Sequence, residues 1–157
     1  MKCLVNQVDD HYPIYPKNLF VYGSFMEGFF NYEKTLKGRV ISNTLGKVKG
    51  ILYHQKLKGY PAIIPGDGWV SGEFLELENF DEQIKECDRI ENYFGPNHPD
   101  NEYDRRVSKI KFADENTSST WAWIYWYARN DLKSDKNPVI YIPSGDWRDF
   151  MHKIDDT

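Results

Sequence analysis

The chain has 157 residues, 40% of them hydrophobic, and a formal net charge of −4. That length makes one domain the default, with enough apolar content to build a core, and the acidic balance without a long basic run argues against nucleic-acid binding. No apolar run approaches bilayer length, and residues 1–18 lack the apolar stretch of a signal peptide, which argues against a membrane partner.

In chain order, residues 1–18 read as an N-terminal extension ahead of a single domain over 19–157. Residues 19–22 form a short apolar run that predicts a buried strand, and 29–36 a short helix stopped near Gly38. Residues 46–54 read as a strand through Val48, Gly50 and Leu52, and Lys47, Lys49, Lys56 and Lys58 form a sparse basic strip with the character of a solvated strand face. Residues 59–68, rich in Gly and Pro, predict a turn-rich connection, followed by a strand over 69–77 with Val70, Gly72, Phe74 and Glu76 on one side.

The next helix, about 81–93, carries Phe80, Ile84, Cys87 and Glu91 at spacings of four, three and four, which puts all four on one stripe and turns Glu91 toward the core. A loop over 95–101 ends it. Residues 103–112 predict a strand with a bulge, because Val107 and Ile110 fall on opposite faces. Residues 121–127, with large groups on both faces, predict a strand covered on both sides or closing a barrel. After a polar loop over 130–137, Ser144-Gly145-Asp146 suits a turn and helix cap, and Trp147, Phe150, Met151 and Ile154 mark a final amphipathic helix. Strands outnumber helices without βαβ alternation, so the expected class is α+β, a small mixed barrel flanked by helices.

Two features carry chemistry. Val21-Tyr22-Gly23-Ser24 ends a strand, and Gly23 lets backbone approach a ligand, with amide N–H groups free to meet an anion or carbonyl oxygen. Glu91, on an apolar stripe at the negative end of a helix, is pushed toward the neutral form, which suits a group that takes a proton and returns it. A structural pair between Glu91 and Arg105 or Arg106 is the competing reading. Asp88, one turn before Glu91, either shares its site or pairs with a nearby arginine, Glu73 suits bonding to the backbone or an arginine, and the Ser24 hydroxyl suits steadying its own loop. Tyr103, Tyr125 and Tyr127 either line a pocket or fill the core. Cys3 and Cys87 make neither a disulfide framework nor a metal spacing, and His11, His54, His98 and His152 are scattered as surface residues. No metal or cofactor is expected, and a reducing, cytoplasmic setting is.

The ordered set Phe20-Val21-Tyr22-Gly23-Ser24, Gly50-Ile51-Leu52-Tyr53, Gly59-Tyr60-Pro61-Ala62, Val70-Ser71-Gly72-Glu73-Phe74, Cys87-Asp88-Arg89-Ile90-Glu91-Asn92-Tyr93 and Tyr103-Asp104-Arg105-Arg106-Val107 resembles the γ-glutamylcyclotransferase-like superfamily, in its γ-glutamylamine cyclotransferase (AIG2-like) branch. The resemblance implies a barrel with a cavity at one end, a substrate-holding turn at Tyr22, Gly23, Ser24 and Phe25, and Glu91 as the catalytic acid/base. Tyr103 and Tyr125 are the further substrate contacts expected. It implies release of 5-oxoproline from a γ-glutamyl amide by attack of the substrate's own α-amine, without a cofactor, by a monomer or weak dimer. The chain departs from the family pattern at Cys87, at Phe25, which narrows the pocket, and at Asn92, where the family has Gly; Asn also tolerates the left-handed conformation. A γ-glutamyl hydrolase or acyltransferase, and a non-catalytic small-molecule-binding module, are the alternatives.

Overall fold

A computed structural model describes residues 15–114 and 118–155; the readings for Cys3, His11 and residues 1–14 lie outside them. Six strands form one sheet: β1 (Asn18–Val21), β2 (Val40–Gln55), β3 (Pro61–Leu77), β4 (Tyr103–Phe112), β5 (Ser119–Tyr127) and β6 (Val139–Tyr141). The order is β3-β1-β5-β4-β2-β6, and pairing of β2 with β3 closes the first five into a barrel with β6 outside on β2. β1 runs antiparallel to β3 and parallel to β5, so the barrel is mixed. The short strand at 18–21 is thus flanked on both sides, which is why its residues are apolar: Leu19 and Phe20 are fully buried. The expected α+β mixed barrel is the observed architecture.

The largest difference from the sequence reading lies in residues 59–68. They do not form a loose connection: Pro61 onward belongs to β3, with Ile51, Leu52, Tyr53 and His54 paired to Ile64, Ile63, Ala62 and Pro61. Pro61 is tolerated because it opens the strand. The Gly/Pro content of 65–68 is absorbed by a register shift between Lys49 and Ile51, where Gly66 lies so close to Ile51 that a Cβ would sit 2.4 Å from its side chain. Local turn chemistry was overridden by the long hairpin ladder. β3 is also buried on both faces over residues 72–75, and Glu76, expected in line with Phe74, is exposed. The bulge expected in β4 is absent, since its register with β5 runs unbroken from Tyr103↔Tyr127 to Lys111↔Ser119.

Helix α1 (Phe80–Ile90) buries Phe80, Ile84 and Cys87 as its spacing requires. It ends sooner than residue 93: Glu91 is the C-cap, Asn92 is left-handed at φ 54°, and the Tyr93 and Asn92 N–H groups donate back to the carbonyls of Asp88 (2.9 Å) and Arg89 (3.3 Å). This closes the helix as a Schellman motif, with Asn serving where Gly is usual. Residues 30–36 form the expected short helix, most of it a wide π turn, Tyr32–Leu36, in which Lys37 N–H donates to the Tyr32 carbonyl. Helix α2 (Trp147–Asp155) is capped by Asp146, whose carboxylate accepts the Asp149 N–H at 3.0 Å.

Candidate functional site

At one end of the barrel is a small, partly open cavity of about 30 Å³, more than the ~10–15 Å³ that one water needs. Its wall is contributed by residues 20–25 at the end of β1, Tyr60 and Pro61 at the tip of the β2–β3 hairpin, Glu91 just past α1, Tyr103 on β4 and Tyr125 on β5. The six site residues expected beside Glu91, namely Tyr22, Gly23, Ser24, Phe25, Tyr103 and Tyr125, all line it. Tyr60 and Pro61 join them. Sequence reading passed over both because residues 59–68 looked like an outlying loop.

The turn after β1 is held from several sides. Met26 N–H donates to the Gly23 carbonyl (2.9 Å) and Tyr32 N–H to the Ser24 carbonyl (3.1 Å). The Ser24 hydroxyl accepts from Asn31 at 2.7 Å, the loop-steadying role expected of it. Glu73, buried on β3, accepts from Glu27 N–H (2.9 Å), Asn43 (3.0 Å) and Arg148 (2.8 Å), fastening the far side of the turn to α2. The N–H groups of Gly23, Ser24 and Phe25 meet no acceptor among the described residues. Gly23 presses on the hairpin tip, where a Cβ would stand 2.6 Å from Pro61 Cγ. Absence of a side chain is what lets turn and hairpin meet.

The tyrosines offer rings to the cavity and spend their hydroxyls on protein. Tyr22 donates to the Tyr125 carbonyl (2.6 Å), Tyr103 to the Pro61 carbonyl (2.6 Å) and Tyr125 to Asp88 Oδ1 (2.6 Å). Burial pushes all three phenols well above their ordinary range; Glu91 adds to this for Tyr22, and Cys87 and Asp88 for Tyr125. They stay neutral. Phe25 stacks on Tyr125 at 6.5 Å between ring centres.

Glu91 shares a wall with the buried residues Phe20, Tyr22, Tyr103 and Tyr125. It is half-buried, placed past the helix end on the cavity wall. No hydrogen bond or ion pair holds its carboxyl among the described residues, because the arginines that competed for it are taken. Arg105 makes a two-point pair with Asp88 (2.7 and 3.0 Å), and Arg106 pairs with Asp104 (2.8 Å). Burial, then the negative charges of Glu102 and Asp88, push the Glu91 carboxyl up to about 8.

The surface readings of His54 and Lys58 are corrected. His54 is buried, accepting from Trp147 Nε1 at 3.1 Å, stacked on the Trp147 ring and in tilted contact with Phe150, and burial lowers its basicity. Trp147 packs there and on Phe29, away from the cavity wall. Trp123 is covered by Tyr15 and Arg105, donating to the Pro16 carbonyl. Lys58 is not a solvated strand lysine: it is ion-paired to Glu102 at 2.8 Å. Glu102 itself gave no signal in the sequence, since an acid in a polar loop before a strand reads as solvated. Among the described residues no group of His, Cys, Asp or Glu could hold a metal ion, and no helix is long and apolar enough to cross a membrane. A larger open groove of about 1090 Å³ runs along the outer side of β4 past Arg106, Lys109 and Trp126; it contains neither Glu91 nor the turn.

The sequence model of the family described as "Gamma-glutamyl cyclotransferase, AIG2-like" matches residues 19–149. The γ-L-glutamyl-butirosin B γ-glutamyl cyclotransferase of Niallia circulans is 32% identical over 118 residues, covering 75% of this chain and 71% of that one. A Methanocaldococcus jannaschii protein is 30% identical over 138 residues, 84% of this chain and 96% of its own. Among solved structures, an AIG2-like protein of Mus musculus has the same fold, with a TM-score of 0.57 at 21% identity over 71% of this chain and 76% of that one. YkqA of Bacillus subtilis superposes with a TM-score of 0.61 at 21% identity; the match covers 89% of this chain and 42% of that longer one. The chain therefore belongs to the γ-glutamyl cyclotransferase, AIG2-like family.

Proposed function

We propose that the protein releases 5-oxoproline and a free amine from a γ-glutamyl amide, with Glu91 as general acid/base. The observation that supports this most directly is a carboxyl group with no protein partner, facing the same cavity as three consecutive backbone N–H groups with none. In this reading the substrate's α-amino nitrogen attacks its own γ-carbonyl carbon. A C–N bond forms, closing the five-membered lactam, and the original amide C–N bond breaks. Glu91 takes the proton released by the attacking nitrogen and delivers it to the leaving one, so the amine departs neutral. The nucleophile lies within the substrate, so no Ser or Cys nucleophile and no cofactor is called for, and holding the folded conformer removes much of the entropic barrier. The Gly23, Ser24 and Phe25 amides stabilise the negative oxygen that develops on the carbonyl or the substrate carboxylate.

The raised pKa of Glu91 supports the assignment. At about 8, Glu91 is poised to take and return a proton near neutral pH. The cavity at rest is smaller than a γ-glutamyl amide, so in this reading binding swings wall side chains aside, as rotamers at binding sites commonly do.

The test is a product screen by mass spectrometry on γ-glutamyl-lysine, γ-glutamyl-alanine and a γ-glutamylated amine, with wild type and Glu91→Gln. The expected result is 5-oxoproline plus free amine from wild type and none from the variant. Glutamate as product would make the protein a hydrolase. A new γ-glutamyl amide would make it an acyltransferase, and binding without turnover across the panel would make it a binding module.

A further inference from the structure

Behind the cavity wall lies a second carboxylate. Glu102, 4% exposed, immediately precedes β4. Its Oε2 accepts from the Tyr60 hydroxyl (2.6 Å) and the Lys58 ammonium (2.8 Å), and its Oε1 from the Asn92 amide (3.0 Å). Its main chain is fixed as well: its N–H donates to the Asn92 carbonyl (3.1 Å) and its carbonyl accepts from Ala128 N–H (2.8 Å). These partners come from two places that meet at the site. Lys58 and Tyr60 form the tip of the β2–β3 hairpin, and Tyr60 is cavity wall. Asn92 is the residue that stops α1 directly after Glu91. Glu102 does not itself line the cavity.

We infer that Glu102 is a positioning residue, a buried anion that ties the segment carrying Glu91 to the aromatic wall at Tyr60 and presents a fixed negative charge beside the Glu91 carboxyl. Burial alone would neutralise it, but the hydrogen bonds from Lys58, Tyr60 and Asn92 outweigh burial and hold it below the ordinary carboxylate range. The groups around Glu91 leave few other sources of that field. From α1 it meets Asp88, already paired with Arg105, and the Cys87 thiol, which burial pushes up into the neutral form. From the β1 end, the hairpin tip, β4 and β5 it meets the neutral phenols of Tyr22, Tyr60, Tyr103 and Tyr125. A carboxylate that acted only on Lys58, Tyr60 and Asn92, without reaching Glu91, would leave the Glu91 titration unaltered when neutralised.

The inference rests on reading Glu91 as the proton carrier, but one arm of its test does not need activity. Glu91 is followed by carbon-13 NMR of its carboxyl in wild type, Glu102→Gln and Tyr60→Phe, with circular dichroism to check folding. In Glu102→Gln the midpoint falls by half a pH unit or more, and the rise of kcat/KM with pH moves down with it. In Tyr60→Phe the anion remains and one tie is cut, so the midpoint stays while kcat/KM drops about tenfold, the scale of a positioning loss smaller than the ~10²-fold that 1 Å of misplacement costs. An unmoved midpoint in folded Glu102→Gln overturns the inference and leaves the proposed reaction standing. Should Glu102→Gln fail to fold, undiminished kcat/KM in Tyr60→Phe overturns it. Absence of turnover in wild type refutes the reaction while the titration still decides the role of Glu102.

Discussion

Asp88 and Arg105 form a two-point pair at 2.7 and 3.0 Å, one helical turn before Glu91, and that pair is why Glu91 has no cation of its own. Arg105 is further sandwiched between the rings of Tyr93 and Trp123, 5.1 and 4.4 Å from their centres. The Asp88 carboxylate also anchors the Tyr125 hydroxyl. A single acid thus occupies the nearby arginine, fixes a cavity ring, and leaves the next acid on the chain free.

Replacing Asp88 by Asn should therefore act on both stability and the site. It leaves a largely buried guanidinium without its partner, at a cost of about 3 kcal/mol, the low end for a broken buried pair. It also removes one of the two anions that raise Glu91. Urea unfolding should show the loss, and the NMR midpoint of Glu91 should fall.

The pH dependence of the reaction follows from the same carboxyl. Glu91 acts first as a base, so the deprotonated form is the active one. With its midpoint at about 8, kcat/KM on a γ-glutamyl amide should rise through pH 7–9, since that ratio reports the free enzyme. A flat profile over this range would remove Glu91 from the first proton transfer.

Stability should run the opposite way. Glu91 binds its proton more tightly folded (about 8) than at its ordinary 4.5. Its contribution is therefore fully present below pH 4.5, declines as pH rises, and is lost by about pH 8. Glu91→Gln does not titrate. Its Tm should match wild type near pH 4.5 and exceed it at pH 8.5 by at least about 2 °C, the shift that ~1 kcal/mol gives in a chain of this size. Scanning calorimetry at the two pH values checks this.

Gly23→Ala probes the contact between turn and hairpin. The new Cβ would stand 2.6 and 2.9 Å from Cγ and Cδ of Pro61, a ring that cannot rotate away. Overpacking of this kind costs about 1–3 kcal/mol. Displacement of the Gly23–Phe25 amides by even a fraction of an ångström should cut kcat/KM more than tenfold, given the ~10²-fold cost of 1 Å. Thermal melts and steady-state kinetics separate the two effects.

Much of this was legible one residue at a time. The Phe80, Ile84, Cys87 stripe, the Asp146 cap, the role of Ser24 and the pairing of Glu73 with an arginine follow from spacing and local chemistry, and the structure shows each. What failed was whatever depended on a distant neighbour. Residues 59–68 look like a loop because Pro and Gly are local turn formers, but a 16-residue strand lies alongside them. His54 looks like a surface histidine until Trp147, 93 residues on, covers it.

The sequence by itself determined that a glycine turn follows a buried strand and that an acid stands at the end of an amphipathic helix, because both depend on contacts within a few residues. Tertiary structure alone decided that this acid goes unpaired. Closing the barrel delivers Arg105 to Asp88 and Glu102 to Asn92, Tyr60 and Lys58, partners up to 44 residues apart, and a carboxyl's charge is set by whichever groups the fold brings within a few ångströms, wherever they lie along the chain.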